Sequence, residues 1–150
     1  MHNSPYVILD SLFMATLFDS GKSQEAMRRS LKRKQVTPDS VLVCAINKDK
    51  HWFFVRLQNR TITVFDSMAK DTDYYQRKYS IFRNIISFSS WFYGGDGFRV
   101  EVNQNYPQQK NGFDCGIFMT FGIKDLIRNY ENAWTFKQID CNYKRIQMTW

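Results

Sequence analysis

Pro107-Gln108-Gln109-Lys110-Asn111-Gly112-Phe113-Asp114-Cys115-Gly116-Ile117-Phe118 runs from a polar, glycine-containing loop into an apolar segment of helical character. Its one cysteine falls at the junction. Backbone N–H groups at such a junction lack intrahelical partners, and the helix dipole favours negative charge there. A cysteine so placed is favoured as thiolate, the reactive form. Upstream, His51-Trp52 opens one apolar run and Asp66-Ser67 closes the next. A thiol, an imidazole, a carboxylate and a glutamine six residues ahead of the thiol are the parts of thiol-dependent acyl transfer.

In the order His51, Asp66, Gln109, Cys115 the chain resembles the ubiquitin-like-protein (SUMO-type) cysteine proteases. The shared motifs are His-Trp, Phe-Asp-Ser and Pro-Gln-Gln-x-Asn-Gly-[aromatic]-Asp-Cys-Gly-[aliphatic]-[aromatic]. The last is long and rarely arises by chance. Asp10-Ser11-Leu12-Phe13 to Leu17 resembles the family's Asn-Ser-Phe-Phe…Leu helix, and Arg28 to Lys34 its basic second helix, so the likeness covers most of residues 7 to 147. It implies a papain-like α+β fold with the nucleophile at a helix N-terminus and one catalytic domain over 1–150. Related domains carry a Trp-Leu-x-Asp segment ahead of the first helix and often a longer last helix, so the expectation is a domain shortened at both ends.

The resemblance also implies roles. Cys115 attacks the carbonyl after the C-terminal Gly-Gly of a ubiquitin-like modifier, SUMO first, since the Gln-Gln-x-Asn-Gly block is most similar to that branch. His51 moves the proton, Asp66 orients His51, and water releases the acyl-enzyme. Gln109, at the family's position six residues before the cysteine, is preferred to Gln108 as donor to the oxyanion. Trp52 forms one wall of a narrow slot over the Gly-Gly tail, and Gly116 lets the substrate backbone approach. No metal or cofactor is implied. Deubiquitinating and deneddylating relatives share these parts, as do viral proteases that cut polyproteins and bacterial acetyltransferases with a similar triad. A non-catalytic modifier-binding module is the remaining alternative.

Composition bounds the reading. A chain of 150 residues, 17% aromatic, is one globular domain with a sizeable core. No apolar run is long enough for a membrane span, and no signal peptide is visible at the start. Cys44, Cys115 and Cys141 are odd in number and unpatterned, which predicts free thiols in a reducing intracellular compartment, nucleus or cytoplasm. The net charge of +7 admits a nucleic-acid partner or a nuclear-localisation patch. Much of the excess lies in Arg28 to Lys34, which reads better as the solvated face of a helix with Met27 and Leu31 turned inward.

The patterns predict helices over 7–18, with Asp10 or Ser11 near its start, and 23–34, capped at Ser23. A buried strand follows over 40–46, then strands over 51–58 and 61–66 around an Asn59-Arg60 turn. Residues 71–91 read as mostly helical, 93–97 as a glycine-rich loop and 98–102 as a short strand. Helices over 115–130 and 136–147 close the chain. Helices, a run of mostly antiparallel strands and helices again indicate α+β. A hairpin centred between Asn59 and Arg60 pairs residues whose numbers sum to 119. His51 and Asp66 then project from the same face as diagonal neighbours, roughly 7–8 Å apart between backbones. A turn centred on one residue would put them on opposite faces.

Each candidate has a plainer reading. A cysteine is more often a packed apolar residue, and Cys44, in an apolar strand, fits that better than Cys115. His51 alone would be a packed strand residue, but the only other histidine is His2, near the start. Asp66 would otherwise be a turn residue. Asp114, a rival carboxylate, reads as structural. Gln109 would otherwise face water, and Trp52 would pack in the core.

Overall fold

The computed structural model describes residues 5–18, 23–138 and 140. Among these residues, ten elements run in the order β1 (Tyr6–Leu9), α1 (Ser11–Phe18), α2 (Gln24–Arg33), β2 (Val41–Lys48), β3 (His51–Gln58), β4 (Thr61–Phe65), α3 (Thr72–Lys78), α4 (Ser80–Tyr93), β5 (Arg99–Val102) and α5 (Cys115–Ile127). The strands form one sheet in chain order. It is antiparallel from β2 through β4, and parallel where β1 joins β2 and β5 joins β4.

Both hairpins turn on two residues with positive φ, Asp49 (51°) with Lys50 (63°) and Asn59 (52°) with Arg60 (58°). That is the left-handed pair whose twist matches the flanking strands. The second turn sets the expected register, Gln58 opposite Thr61 and Phe54 opposite Phe65.

The apolar run of β2 is buried on both sides, as is most of β3, because helices cover both faces of the sheet. Alternate residues divide between two cores. Leu42, Cys44, Ile46, Phe53, Val55, Leu57, Ile62 and Val64 meet Leu17, Leu31, Tyr75, Phe82 and Ile85 from the α1–α4 side. Val43, Phe54 and Phe65 meet Tyr106, Phe118, Leu126 and Phe136 from the α5 side. His51 shares the parity of Phe53 and Val55, and Trp52 that of Phe54, so the two neighbours leave β3 on opposite faces.

Local chemistry explains most boundaries. Ser23 Oγ accepts from Ala26 N–H (3.2 Å) and Asp71 Oδ1 from Tyr74 N–H (2.8 Å), each opening a helix. In α2, Leu31 is buried and Met27 half-buried, while Arg28, Arg29, Lys32 and Arg33 lie along the outer side, with Arg28 over the Trp91 ring at 5.0 Å. The Gly94–Gly97 loop has φ of 77°, 88° and 91° at its three glycines, and Arg60 holds it through bonds to Asp96 O (2.7 Å) and Gly94 O (3.2 Å).

The expected boundaries need correction in places. Residues 7–9 are not helical: Tyr6–Leu9 is a strand parallel to β2, and α1 starts only after Asp10, whose carboxylate accepts from Phe13 N–H (2.8 Å). Backbone pairing with β2, and burial of Leu9, win over continuation of the helix. The segment 71–91 holds two helices, broken at Tyr79, whose extended φ, ψ (−115°, 109°) ends α3 and starts α4. Helix α5 stops at Ile127, with Asn129 left-handed at φ 65°. The helix expected over 136–147 lies largely outside the described residues, as do His2 and Cys141.

Candidate active site

The first residue of β3 and the residue after β4 meet at one end of the sheet. His51 Nε2 lies 2.7 Å from Asp66 Oδ1. The ring stacks on Phe53 (centroids 5.7 Å, planes 28° apart), which fixes its face. Asp66 is 2% exposed, and a buried carboxylate needs donors. Oδ1 also accepts from Met68 N–H (2.8 Å), and Oδ2 accepts from Tyr75 Oη (2.7 Å). Tyr75 in turn accepts from Lys70 N–H (3.1 Å). Burial first, then the Asp66 charge, pushes the Tyr75 phenol well above its ordinary value, so it stays a donor.

Cys115 begins α5 on the other side of the sheet and is 5% exposed. Asp114 does not cap that helix with its side chain. Its carboxylate, 0% exposed, accepts from Asn111 Nδ2 (2.7 Å) and Gln138 Nε2 (2.6 Å). Asn111 Oδ1 accepts from the Phe113 (3.1 Å) and Asp114 (3.0 Å) N–H groups, so the loop before the cysteine folds on its own side chain. Gln138 Oε1 accepts from Lys110 N–H (2.7 Å) and ties the same loop from outside. The α5 end is joined to the β3 end through Trp52: a Cβ built on Gly116 would lie 3.6 Å from Trp52 Cδ1. Cys44 is a free, buried thiol whose proton affinity burial drives far up.

The two glutamines differ. Gln108 Nε2 donates to Asp66 O (2.8 Å) and Tyr106 O (3.1 Å), and its Oε1 accepts from Ala69 N–H (3.0 Å). It is a brace for the turn after β4. Gln109 accepts from Ser67 Oγ through its side-chain oxygen, and its backbone N–H donates to Ser67 O (2.9 Å). That leaves the amide nitrogen, with two hydrogens, as the outward donor; it meets Asn111 O at 2.6 Å. Asp66 and Gln109 are thus coupled through Ser67. A cleft of about 380 Å³ beside the pair is lined by His51, Asp66, Lys50, Lys70, Tyr79 and Gly112 among others.

The structure therefore brings His51 to Asp66, Trp52 to Gly116, and Gln109 to Ser67. Sequence reasoning missed Tyr75, Gln108 as brace, Ser67 and Gln138. Ser67 sits inside a quoted motif and could have been found. Tyr75 and Gln138 reach the site only through tertiary packing, and nothing in the local pattern marks them.

A cysteine opening a helix on one side of a mixed sheet, with a histidine–aspartate pair at the strand ends, is papain-like α+β architecture. A profile of the Ulp1 protease family, C-terminal catalytic domain, matches residues 1–149. Sentrin-specific protease 5 of Homo sapiens is 29% identical over 124 residues, covering 79% of this chain and 16% of that protein, as is its Macaca fascicularis counterpart. Among solved structures, the Chaetomium thermophilum Ulp1-like SUMO protease catalytic domain superposes with a TM-score of 0.71 at 19% identity, over 94% of this chain and 57% of that one. The yeast Ulp1 protease domain, solved in complex with Smt3, the yeast orthologue of SUMO, gives 0.66 at 24%, over 91% and 62%. The chain belongs to the Ulp1 protease family. It spans about a sixth of the length of the curated relatives it matches.

Proposed function

We propose that this chain is a thiol protease that cleaves after the C-terminal Gly-Gly of a ubiquitin-like modifier, SUMO first, from precursors or from amine conjugates. The observation that carries it is the His51–Asp66 bond of 2.7 Å, at the strand end tied to the Cys115 helix through Trp52 and Gly116. With Nε2 turned to Asp66, the imidazole has Nδ1 left to serve the thiol. Cys115 Sγ adds to the glycine carbonyl, and the developing oxyanion takes hydrogen bonds from the Cys115 N–H at the uncapped helix start and from Gln109 Nε2. For that, Gln109 Nε2 swings its outward donor from Asn111 O to the substrate. Imidazolium gives its proton to the leaving amine, the C–N bond breaks, and water deprotonated by His51 hydrolyses the thioester. Asp66 steadies the charged imidazole throughout.

Trp52 lines the tail slot and favours glycine, because a flat indole leaves no room for a larger side chain. One catalytic domain suffices for this chemistry. The free thiols of Cys44 and Cys115 fit a reducing compartment, nucleus or cytoplasm. The test is a panel of modifiers ending in an electrophile at the Gly-Gly carboxyl. A SUMO-tailed probe is expected to form one covalent adduct at Cys115, lost in Cys115→Ala. Absence of an adduct with every modifier would refute the assignment.

A further inference from the structure

We propose that Tyr75 is a positioning residue for the histidine–aspartate pair: it holds the far oxygen of Asp66 so that the near one stays aimed at His51. This rests on the function proposed above, in which that pair serves Cys115.

Asp66 lies just beyond the last residue of β4, outside the strand ladder, and carboxylate torsions are broad. Something other than the strand must set the plane of the group. Oδ1 is engaged twice, by His51 Nε2 (2.7 Å) and Met68 N–H (2.8 Å), and Oδ2 takes the Tyr75 hydroxyl (2.7 Å). The phenol itself has little choice of direction. Lys70 N–H occupies a lone pair of its oxygen at 3.1 Å, which sends the O–H to Asp66. Its ring cannot follow a moving carboxylate, because it is 0% exposed and packed between Phe53 (5.6 Å), Phe82 (5.8 Å) and Tyr79 (6.3 Å). A phenylalanine would fill the same space, so packing does not require the hydroxyl. The hydroxyl has two polar partners, and the one it donates to is the carboxylate.

Two consequences follow. Without the hydroxyl, Asp66 has a buried oxygen with one donor fewer, and its plane is set from one side only. A carboxylate held from one side only supports the charged imidazole less well, so the damage shows most where Cys115 depends on His51, on the acid side. The assay is the rate of Cys115 alkylation by iodoacetamide at pH 5.5 and pH 8, which needs no modifier. In Tyr75→Phe the ratio of the two rates is expected to fall at least threefold below wild type. p-Aminophenylalanine at position 75, which keeps an N–H at similar reach, should restore most of it. In an Asp66→Asn background, Tyr75→Phe should change nothing further, because the group it acts through is gone.

An unchanged ratio in Tyr75→Phe, or an equal effect of Tyr75→Phe with and without Asp66, would overturn the inference. Should Tyr75→Phe not fold, the p-aminophenylalanine variant carries the same comparison: a weaker donor lowers the ratio with Asp66 present and not with Asn. If wild-type Cys115 alkylates with the pH dependence of an isolated thiol, the proposed function falls and takes the inference with it. If wild type alkylates readily in acid and Tyr75→Phe does the same, the inference alone falls.

Discussion

Gly122 sits in the middle of α5, about two turns after Cys115, and Gly122→Ala should be costly there. A Cβ at this position would lie 2.0 Å from Tyr106 Oη and 2.7 Å from both Cε1 and Cζ. The phenol cannot yield cheaply. It is 2% exposed, donates to Phe118 O on the same helix at 2.5 Å, and is wedged among Phe54, Phe65, Trp134 and Phe136. Overpacking a core costs about 1–3 kcal/mol. Losing the buried bond to Phe118 O adds about 1–3 kcal/mol. Alanine returns about 1 kcal/mol as the better helix former. The net loss is about 3 kcal/mol, or ~6–12 °C in Tm for a chain of this size. Urea unfolding gives the free energy directly; Tyr106→Phe in the same background should recover only part of it, since it removes the worst contact but leaves Cε1 and Cζ at 2.7 Å and the bond to Phe118 O lost. A Gly122→Ala variant as stable as wild type would refute the steric argument. Helix α5 carries Cys115, so a shift that relieves the clash should also depress activity in the fraction that folds, since small displacements of reacting groups are expensive.

Three further outcomes are expected. Cys115→Ser should abolish hydrolysis of a fluorogenic modifier conjugate while moving the unfolding free energy by no more than about 1 kcal/mol; near wild-type turnover would sink the mechanism. Trp52→Ala should reduce discrimination among Gly-Gly, Gly-Ala and Ala-Ala tails, read as kcat/KM on one modifier; unchanged discrimination would assign the indole to core packing alone. Stability should fall above about pH 9. Burial raises the Cys44 thiol and the Tyr75 and Tyr93 phenols, and pushes Tyr79 up to about 12, so the unfolded chain releases these protons first. Each fully buried group removes about 1.4 kcal/mol per pH unit past its unfolded value. Urea midpoints at pH 8 and 10.5 test this, and Cys44→Ala should flatten the decline; equal midpoints in wild type would refute it.

What was legible in the sequence was mostly local. The Asn59-Arg60 turn and period-two alternation placed His51 and Asp66 on one face, because two left-handed residues closing a hairpin leave a single register. Ser23 as a cap was legible for a similar reason, since the capping bond spans three residues. What escaped was non-local or lacked its usual marker. Tyr6–Leu9 becomes a strand by pairing with residues thirty-five positions away, Tyr6 with Val41. Asp49-Lys50 turns a hairpin without glycine or asparagine, so the apolar pattern of β2 stops at Ile46, two residues before the strand ends at Lys48. The parallel pairing of β4 with β5, like the reach of Tyr75 to Asp66, crosses between elements, and no spacing within either one encodes it.

Glycine at 116 has a consequence for how such a chain trades robustness against activity. The added Cβ would meet Trp52 at 3.6–3.9 Å, an ordinary contact, and no positive φ demands glycine there. The free protein therefore has no steric need for it and forgoes up to about 1 kcal/mol of helix preference. Under the proposed function, the reason lies in the substrate, whose backbone must pass over that spot. Selection for thermal robustness alone would replace Gly116 with alanine early, yielding a hardier fold and a poorer enzyme. Laboratory stabilisation of this domain should leave that position alone.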